Sequence, residues 1–200
     1  MQYRAFVLAT GLEAPYGWTD RAPRRGEEDH PVVHVSWYEA MDYCQWLSEV
    51  TGRGYGLPIE AEWEKGAWGT DGRIYPWGDQ WDATRCNSRE SGVENTTSVH
   101  AYPQGASPYR LLDMAGNIWE WTRSLWGRNW EHPDYRYPYR PTDGRENIDA
   151  GQDVARVLRG AAFLRYRWNV RCAFRNGDYP SGRINDPVSV GLRVVVLPAS

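Results

Sequence analysis

The sequence predicts an irregular α+β domain: two short helices early, small antiparallel sheets late, and long loops between them. Three observations predict it. Apolar residues at helical spacing are confined to the first third of the chain, and β-like runs to its last quarter. Gly (20) and Pro (13) punctuate the 200 residues too often for long regular elements. Trp (12) and Tyr (13) far outnumber Phe (3). Such rings carry a polar tip on an apolar body, which suits side chains that must pack and also hydrogen-bond to loops.

Taken in order, Tyr3, Phe6 and Val7 have helical spacing over 2–10, and Gly11 can end that helix. Residues 12–30 read as loop, with Pro15, Gly17, Pro23 and Gly26. Val32, Val33 and Val35 read as a short extended segment. Ser36 with Glu39 three residues on is a capping box. It opens a helix over 37–50, with Ala40, Tyr43, Cys44 and Leu47 on one face and Gly52 closing it. A second helix runs over 60–67 after Leu57-Pro58-Ile59. Its Glu60 and Glu64 share a face, which reads as solvated charge. Coil follows to about residue 120, and a second long loop covers 126–153. Residues 156–158, 168–175 and 190–196 read as strands. Neither an internal repeat nor a linker stands out, so residues 1–200 are expected to be one domain.

A chain this long can bury a sizeable core, hiding about 70% of its unfolded surface. Its 14% aromatic content excludes disorder. The longest apolar run falls short of the roughly 18 residues that cross a bilayer, so no membrane role is expected. The net charge of −3 argues against a general nucleic-acid binder. Lys65 is the one lysine among 23 basic residues. Arginine dominates, and its planar guanidinium stacks on aromatic rings. Cys44, Cys86 and Cys172 are too few and too scattered for a disulfide framework. With no secretory leader in the chain as given, a reducing cytoplasm is the expected location.

The strongest local signal is Leu112-Asp113-Met114-Ala115-Gly116-Asn117-Ile118-Trp119-Glu120-Trp121. Asp113 and Glu120 are hard oxygen ligands, and Gly116 permits a tight turn that aims carbonyls inward. Together they suit calcium, which takes six to eight oxygens. A capped turn with two solvated carboxylates is the alternative.

That run stands in a longer series: His30-Pro31-Val32, Val35-Ser36-Trp37, Leu57 to Lys65, Tyr75-Pro76-Trp77-Gly78, Val157-Leu158-Arg159-Gly160, Arg171-Cys172-Ala173 and Val190-Gly191-Leu192-Arg193-Val194. In this order the motifs resemble the formylglycine-generating enzyme, or sulfatase-modifying factor, family over nearly the whole chain. The resemblance implies a domain related to the C-type lectin fold, often with bound calcium. It implies calcium ligands at Asp113, the carbonyls of Gly116 and Ile118, and Glu120. A second, weaker calcium position involves Asn87 and the carbonyl of Ser88, with Ser91 where an acidic partner is expected. Gln2-Tyr3-Arg4-Ala5-Phe6 resembles a helix well inside the family domain. The chain is therefore expected to be a shortened domain or a piece of a larger, multidomain protein.

The family's oxidase converts a protein cysteine to formylglycine through two copper-binding cysteines five positions apart. Cys172 matches the second, but Arg167 stands where the first belongs. One thiolate cannot make a two-sulfur Cu(I) site, so copper is not expected and the oxidase is the alternative, with Cys172 as its remaining catalytic residue. Otherwise Cys172 reads as a small buried hydrophobe. A related branch holds iron with clustered histidines. Here Pro31 separates His30 from His34, and His100 and His132 are isolated.

Between motif-conforming flanks, residues 161–190 are chemically mixed. Leu164, Arg165, Tyr166, Trp168, Phe174, Asn176, Asp178, Tyr179, Ile184 and Asn185 follow no period. This resembles the variable region of the target proteins of diversity-generating retroelements, a branch of the same fold in which chosen codons are rewritten. The Tyr- and Arg-rich loop around Tyr135-Arg136-Tyr137 resembles that branch too. Tyr, Trp and Arg are the residues that anchor interfaces. The expectation is a non-catalytic domain that presents residues 164–185 to a protein or glycan ligand, with Arg165, Tyr166, Trp168 and Tyr179 as anchors.

Overall fold

A computed structural model describes residues 2–182 and 189–198. Ile184 and Asn185 lie outside the described residues. The elements run α1 (Gln2–Thr10), α2 (Trp37–Thr51), β1 (Tyr55–Gly56), α3 (Glu60–Trp68), β2 (Trp119–Gly127), β3 (Ala155–Arg159), β4 (Asn176–Asp178), β5 (Val190–Leu192) and β6 (Val195–Val196). Single 3₁₀ turns lie at Ala83–Arg85, Arg89–Ser91 and Pro103–Gly105. The α+β class holds, with three helices rather than two.

Local chemistry sets the helices. The Ser36 hydroxyl accepts the Glu39 N–H, and the Glu39 carboxylate accepts the Ser36 N–H, so two orphan donors of α2 are satisfied. Gly52 ends α2 in the left-handed conformation, φ 68°. Tyr3, Phe6 and Val7 bury the inner face of α1, where Tyr3 and Phe6 meet Tyr43 of α2 at 5.2 and 5.5 Å between ring centres. At α3 the expectation fails. Glu60 and Glu64 are 0% and 4% exposed, not a solvated face.

The main sheet has the order β4-β3-β2-β5. β3 pairs antiparallel with β2 and β4, while β5 pairs parallel with β2, so this sheet is mixed rather than purely antiparallel. β1 and β6 form a separate antiparallel pair. Strand β2 crosses the middle and was absent from the sequence reading, which ended coil at about residue 120 and began a loop at 126. All but one of its residues are buried, so it shows no alternation. Its polar groups are paired inside: Thr122 Oγ1 donates to the Val157 carbonyl at 3.0 Å, and Ser124 Oγ to Glu146 at 2.6 Å. One further strand expectation fails. Residues 168–175 form turns, and the strand comes after them at β4. The segment over 32–35 joins no sheet ladder, and its Val35 N–H reaches the Val190 carbonyl.

Indole N–H groups stitch the irregular parts to this core. Trp37 Nε1 donates to the Thr122 carbonyl at 2.9 Å, and Trp121 Nε1 to the Val35 carbonyl at 2.8 Å. The loop over 128–154 is pinned by two buried arginines. Arg156 lies 4.2 Å from the Trp37 ring centre and donates to the carbonyls of Asn147, Ile148 and Ala150. Arg145 forms a fork onto Asp143 and stacks 4.5 Å from the Tyr139 ring centre. Among the described residues no helix is long and apolar enough to cross a membrane.

Candidate functional site

The mixed segment divides into residues that hold it and residues that it shows. Val170 and Cys172 are fully buried. Phe174 packs against Trp119 of the core, with ring centres 6.0 Å apart, so it is support. Arg175 reaches inward to both Glu60 oxygens and lies 5.2 and 5.0 Å from the Trp126 and Tyr137 ring centres. Asn176 and Asp178 belong to β4 and pair with Leu158 and Arg156. Gly177, between them, faces Trp126 so closely that a Cβ would sit 2.5 Å from the ring.

Beneath this support is a buried ionic knot. Arg159 bridges Glu60 and Glu64 at 3.2 and 3.0 Å and donates to the carbonyls of Cys172 and Ala173. The Tyr137 hydroxyl also donates to Glu64. Helix α3, strand β3, the Tyr-rich loop and the mixed segment therefore meet at four charges with mutual hydrogen bonds. The sequence reading missed this knot, because its members are up to 115 residues apart.

The shown part is the turn over 164–171. Leu164 and Arg165 are half-buried, and Tyr166 and Trp168 are 42% and 52% exposed. The two rings stack, with centres 4.7 Å apart and planes 18° apart. Asn169 closes the turn: its N–H donates to the Tyr166 carbonyl, and its side-chain oxygen accepts the Tyr166 N–H. A neighbouring 3₁₀ turn braces it. Arg89 N–H donates to the Arg165 carbonyl, Glu90 accepts the Arg167 N–H at 2.9 Å, and the Arg89 guanidinium lies 5.4 Å from the Tyr166 ring centre. Arg89 and Glu90 carried no sequence signal for this role. Tyr179, 39% exposed, stands on another support: its hydroxyl donates to the Arg128 carbonyl at 3.0 Å. No contact joins it to the Tyr166–Trp168 pair among the described residues.

The proposed calcium positions differ in their fit. At the weaker one, the Ser91 hydroxyl lies 2.7 Å from the Ser88 carbonyl and 3.2 Å from Asn87 Oδ1. There the hydroxyl can donate to either oxygen, and among the described residues no carboxylate hydrogen-bonds to this pair. At the stronger one, Glu120 already has a counter-ion: Arg193 donates to both its oxygens at 2.9 and 2.8 Å, and Trp63 Nε1 adds 2.7 Å. Among the described residues Asp113 has none in hydrogen-bond reach and accepts from the Asn117 amide at 3.0 Å. Burial pushes its carboxyl up to about 6. The carbonyl of Gly116, at φ 82°, belongs to a turn so tight that a Cβ there would meet the Asn87 carbonyl at 2.2 Å. Within this set the half-buried Asp113 is the carboxylate a cation would engage. Asp113 and Glu120 also line an open cleft of about 900 Å³ with His30, His34 and Arg193, which none of the exposed turn's rings enters. Among the described residues no three His, Cys, Asp or Glu side chains converge.

Cys172 is wholly buried, and burial pushes its thiol up to about 12, with Arg159 pulling the other way. Its neutral form is the one favoured at physiological pH. Arg167, five positions earlier, is exposed.

Comparison with known proteins places this geometry. The model of the "Sulfatase-modifying factor enzyme 1-like domain" matches residues 1–197. A serine/threonine-protein kinase pkn1 of Chlamydia pneumoniae is 36% identical over 161 residues, covering 80% of this chain and 23% of that protein. The formylglycine-generating enzyme of Mus musculus is 32% identical over 169 residues, covering 76% of this chain and 41% of that protein. The chain thus spans less than half the length of these relatives. Among solved structures, Treponema denticola variable protein 1 superposes with a TM-score of 0.71 at 22% identity, over 98% of this chain and 81% of that one.

Proposed function

Since the chain belongs to the sulfatase-modifying factor enzyme family, we propose that it uses the family scaffold for binding rather than for oxidation. The exposed Tyr166–Trp168 stack carries this reading: two large rings stand in water on a turn whose flanks are locked into the core. Rigid aromatic anchors on a fixed support give contact area with little loss of side-chain freedom. The likeness to a variable protein supports the further proposal that residues 161–190 are diversified. The oxidase reading finds no support in Cys172, whose thiol is buried and whose partner, the first cysteine, is replaced by Arg167.

A calcium ion at Asp113, the Gly116 and Ile118 carbonyls and Glu120 is part of the proposal as a structural element. It would supply the counter-charge that Asp113 lacks. Calcium should then raise Tm of the wild type and leave Asp113→Asn unmoved; an unmoved wild type removes calcium from the reading. Panning a phage-displayed random peptide library on the purified chain tests the face itself. Peptides retained by the wild type should be lost on the Tyr166→Ala, Trp168→Ala double variant while its Tm holds. Equal retention by both refutes the proposed face. Diversification has its own test: a reverse transcriptase and a near-copy of the codons for 161–190 beside the gene support it, and a neighbourhood without them refutes it.

A further inference from the structure

The exposed turn is not electrically neutral. Arg165, Arg167 and Arg171 lie within seven residues of one another around Tyr166 and Trp168, and Arg89 joins them from the neighbouring 3₁₀ turn. Arg171 Nε donates to the Trp168 carbonyl, which ties its guanidinium to the backbone of the turn. Arg167 and Arg171 both lie near the Tyr75 hydroxyl; burial raises that phenol, and these two cations pull it back. Among the described residues none of the four arginines forms a salt bridge. The carboxylate of Glu90, which hydrogen-bonds to this turn among the described residues, is already accepting the Arg167 N–H and the Ser88 hydroxyl. Among the described residues these four cations form no ion pair, on a chain whose net charge is −3. The patch therefore opposes the rest of the molecule.

Building on the proposed binding face, we infer that its partner is an acidic protein segment, with carboxylates on Arg165, Arg167, Arg171 and Arg89 and an apolar side chain against Trp168. The chemistry points this way for three reasons. A guanidinium fork matches a carboxylate with two parallel hydrogen bonds. Trp, Tyr and Arg together are the residues that protein interfaces concentrate at their centres. A long polyanion such as nucleic acid would extend past this small patch onto a surface whose overall charge repels it.

The same peptide selection carries the test with a separate readout. Peptides that depend on Tyr166 and Trp168 should be enriched in Asp and Glu over the starting library. A synthetic peptide made from the selected consensus should bind more weakly as salt rises. It should lose about tenfold or more in affinity on the Arg167→Glu, Arg171→Glu double variant, at unchanged Tm. Face-dependent peptides with no acidic enrichment would overturn this inference and leave the binding face standing. Retention that ignores Tyr166 and Trp168 would instead overturn the face. Oligo-dT or heparin bound more tightly than any selected peptide would assign the patch to a different polyanion and likewise overturn the inference.

Discussion

Replacing Arg159 with Met tests the ionic knot that supports the mixed segment. The side chain is wholly buried, so a similar volume of apolar atoms can fill its place. What disappears is charge. Glu60 keeps Arg175 as a partner, at two oxygens. Among the described residues Glu64 keeps the Tyr137 hydroxyl and no cation, so a 4%-exposed carboxylate is left unpaired with charge. The carbonyls of Cys172 and Ala173 lose their donor as well. Breaking a buried pair from one side costs about 3–5 kcal/mol. For a chain of this size that is a Tm lower by roughly 6–20 °C. Urea or thermal denaturation followed by tryptophan fluorescence reads it directly. Adding Glu64→Gln removes the stranded charge, and the double variant should recover about 1–3 kcal/mol of the loss. A single variant within about 1 kcal/mol of wild type, or a double variant no better than the single, would refute the knot as the anchor.

Three further outcomes follow from burial. Phe174→Ala should cost about 2 kcal/mol in a denaturant titration, because the half-buried ring packs on Trp119. Trp168→Ala should stay within about 0.5–1 kcal/mol, since half of that ring is in water; a larger loss would make it core. Cys172 should resist iodoacetamide in the folded protein from neutral pH up to about pH 10 and react once urea unfolds it, because burial holds the thiol protonated until about 12. Rapid native labelling at neutral pH that Cys172→Ser abolishes would reopen the thiolate chemistry.

Those residues also show which parts of the structure were legible in the sequence. The capping box at Ser36 and Glu39, the start of α3 and strand β3 are local, and local chemistry announced them. β2 was hidden because nearly all of its residues are buried on both faces, and Thr122 and Ser124 look like loop residues until their partners are in view. Glu60 and Glu64 looked like a wet helical face because Arg159 and Arg175 lie about a hundred residues downstream. The mixed chemistry of 164–179 was visible as a break in period. Its division into support and display was not. Phe174 and Tyr166 are both aromatic, and only the turn closed by Asn169 and the packing on Trp119 tell them apart.

That division is tested most directly by a display library with two randomised sets scored for protease resistance. One set varies Arg165, Tyr166, Arg167 and Trp168; the other varies Cys172, Phe174 and Arg175. The first set should remain largely folded, because its side chains contribute little to the core. The second should be largely degraded. Loss of folding in the first set, or tolerance in the second equal to the first, would contradict a binding face carried on a fixed scaffold.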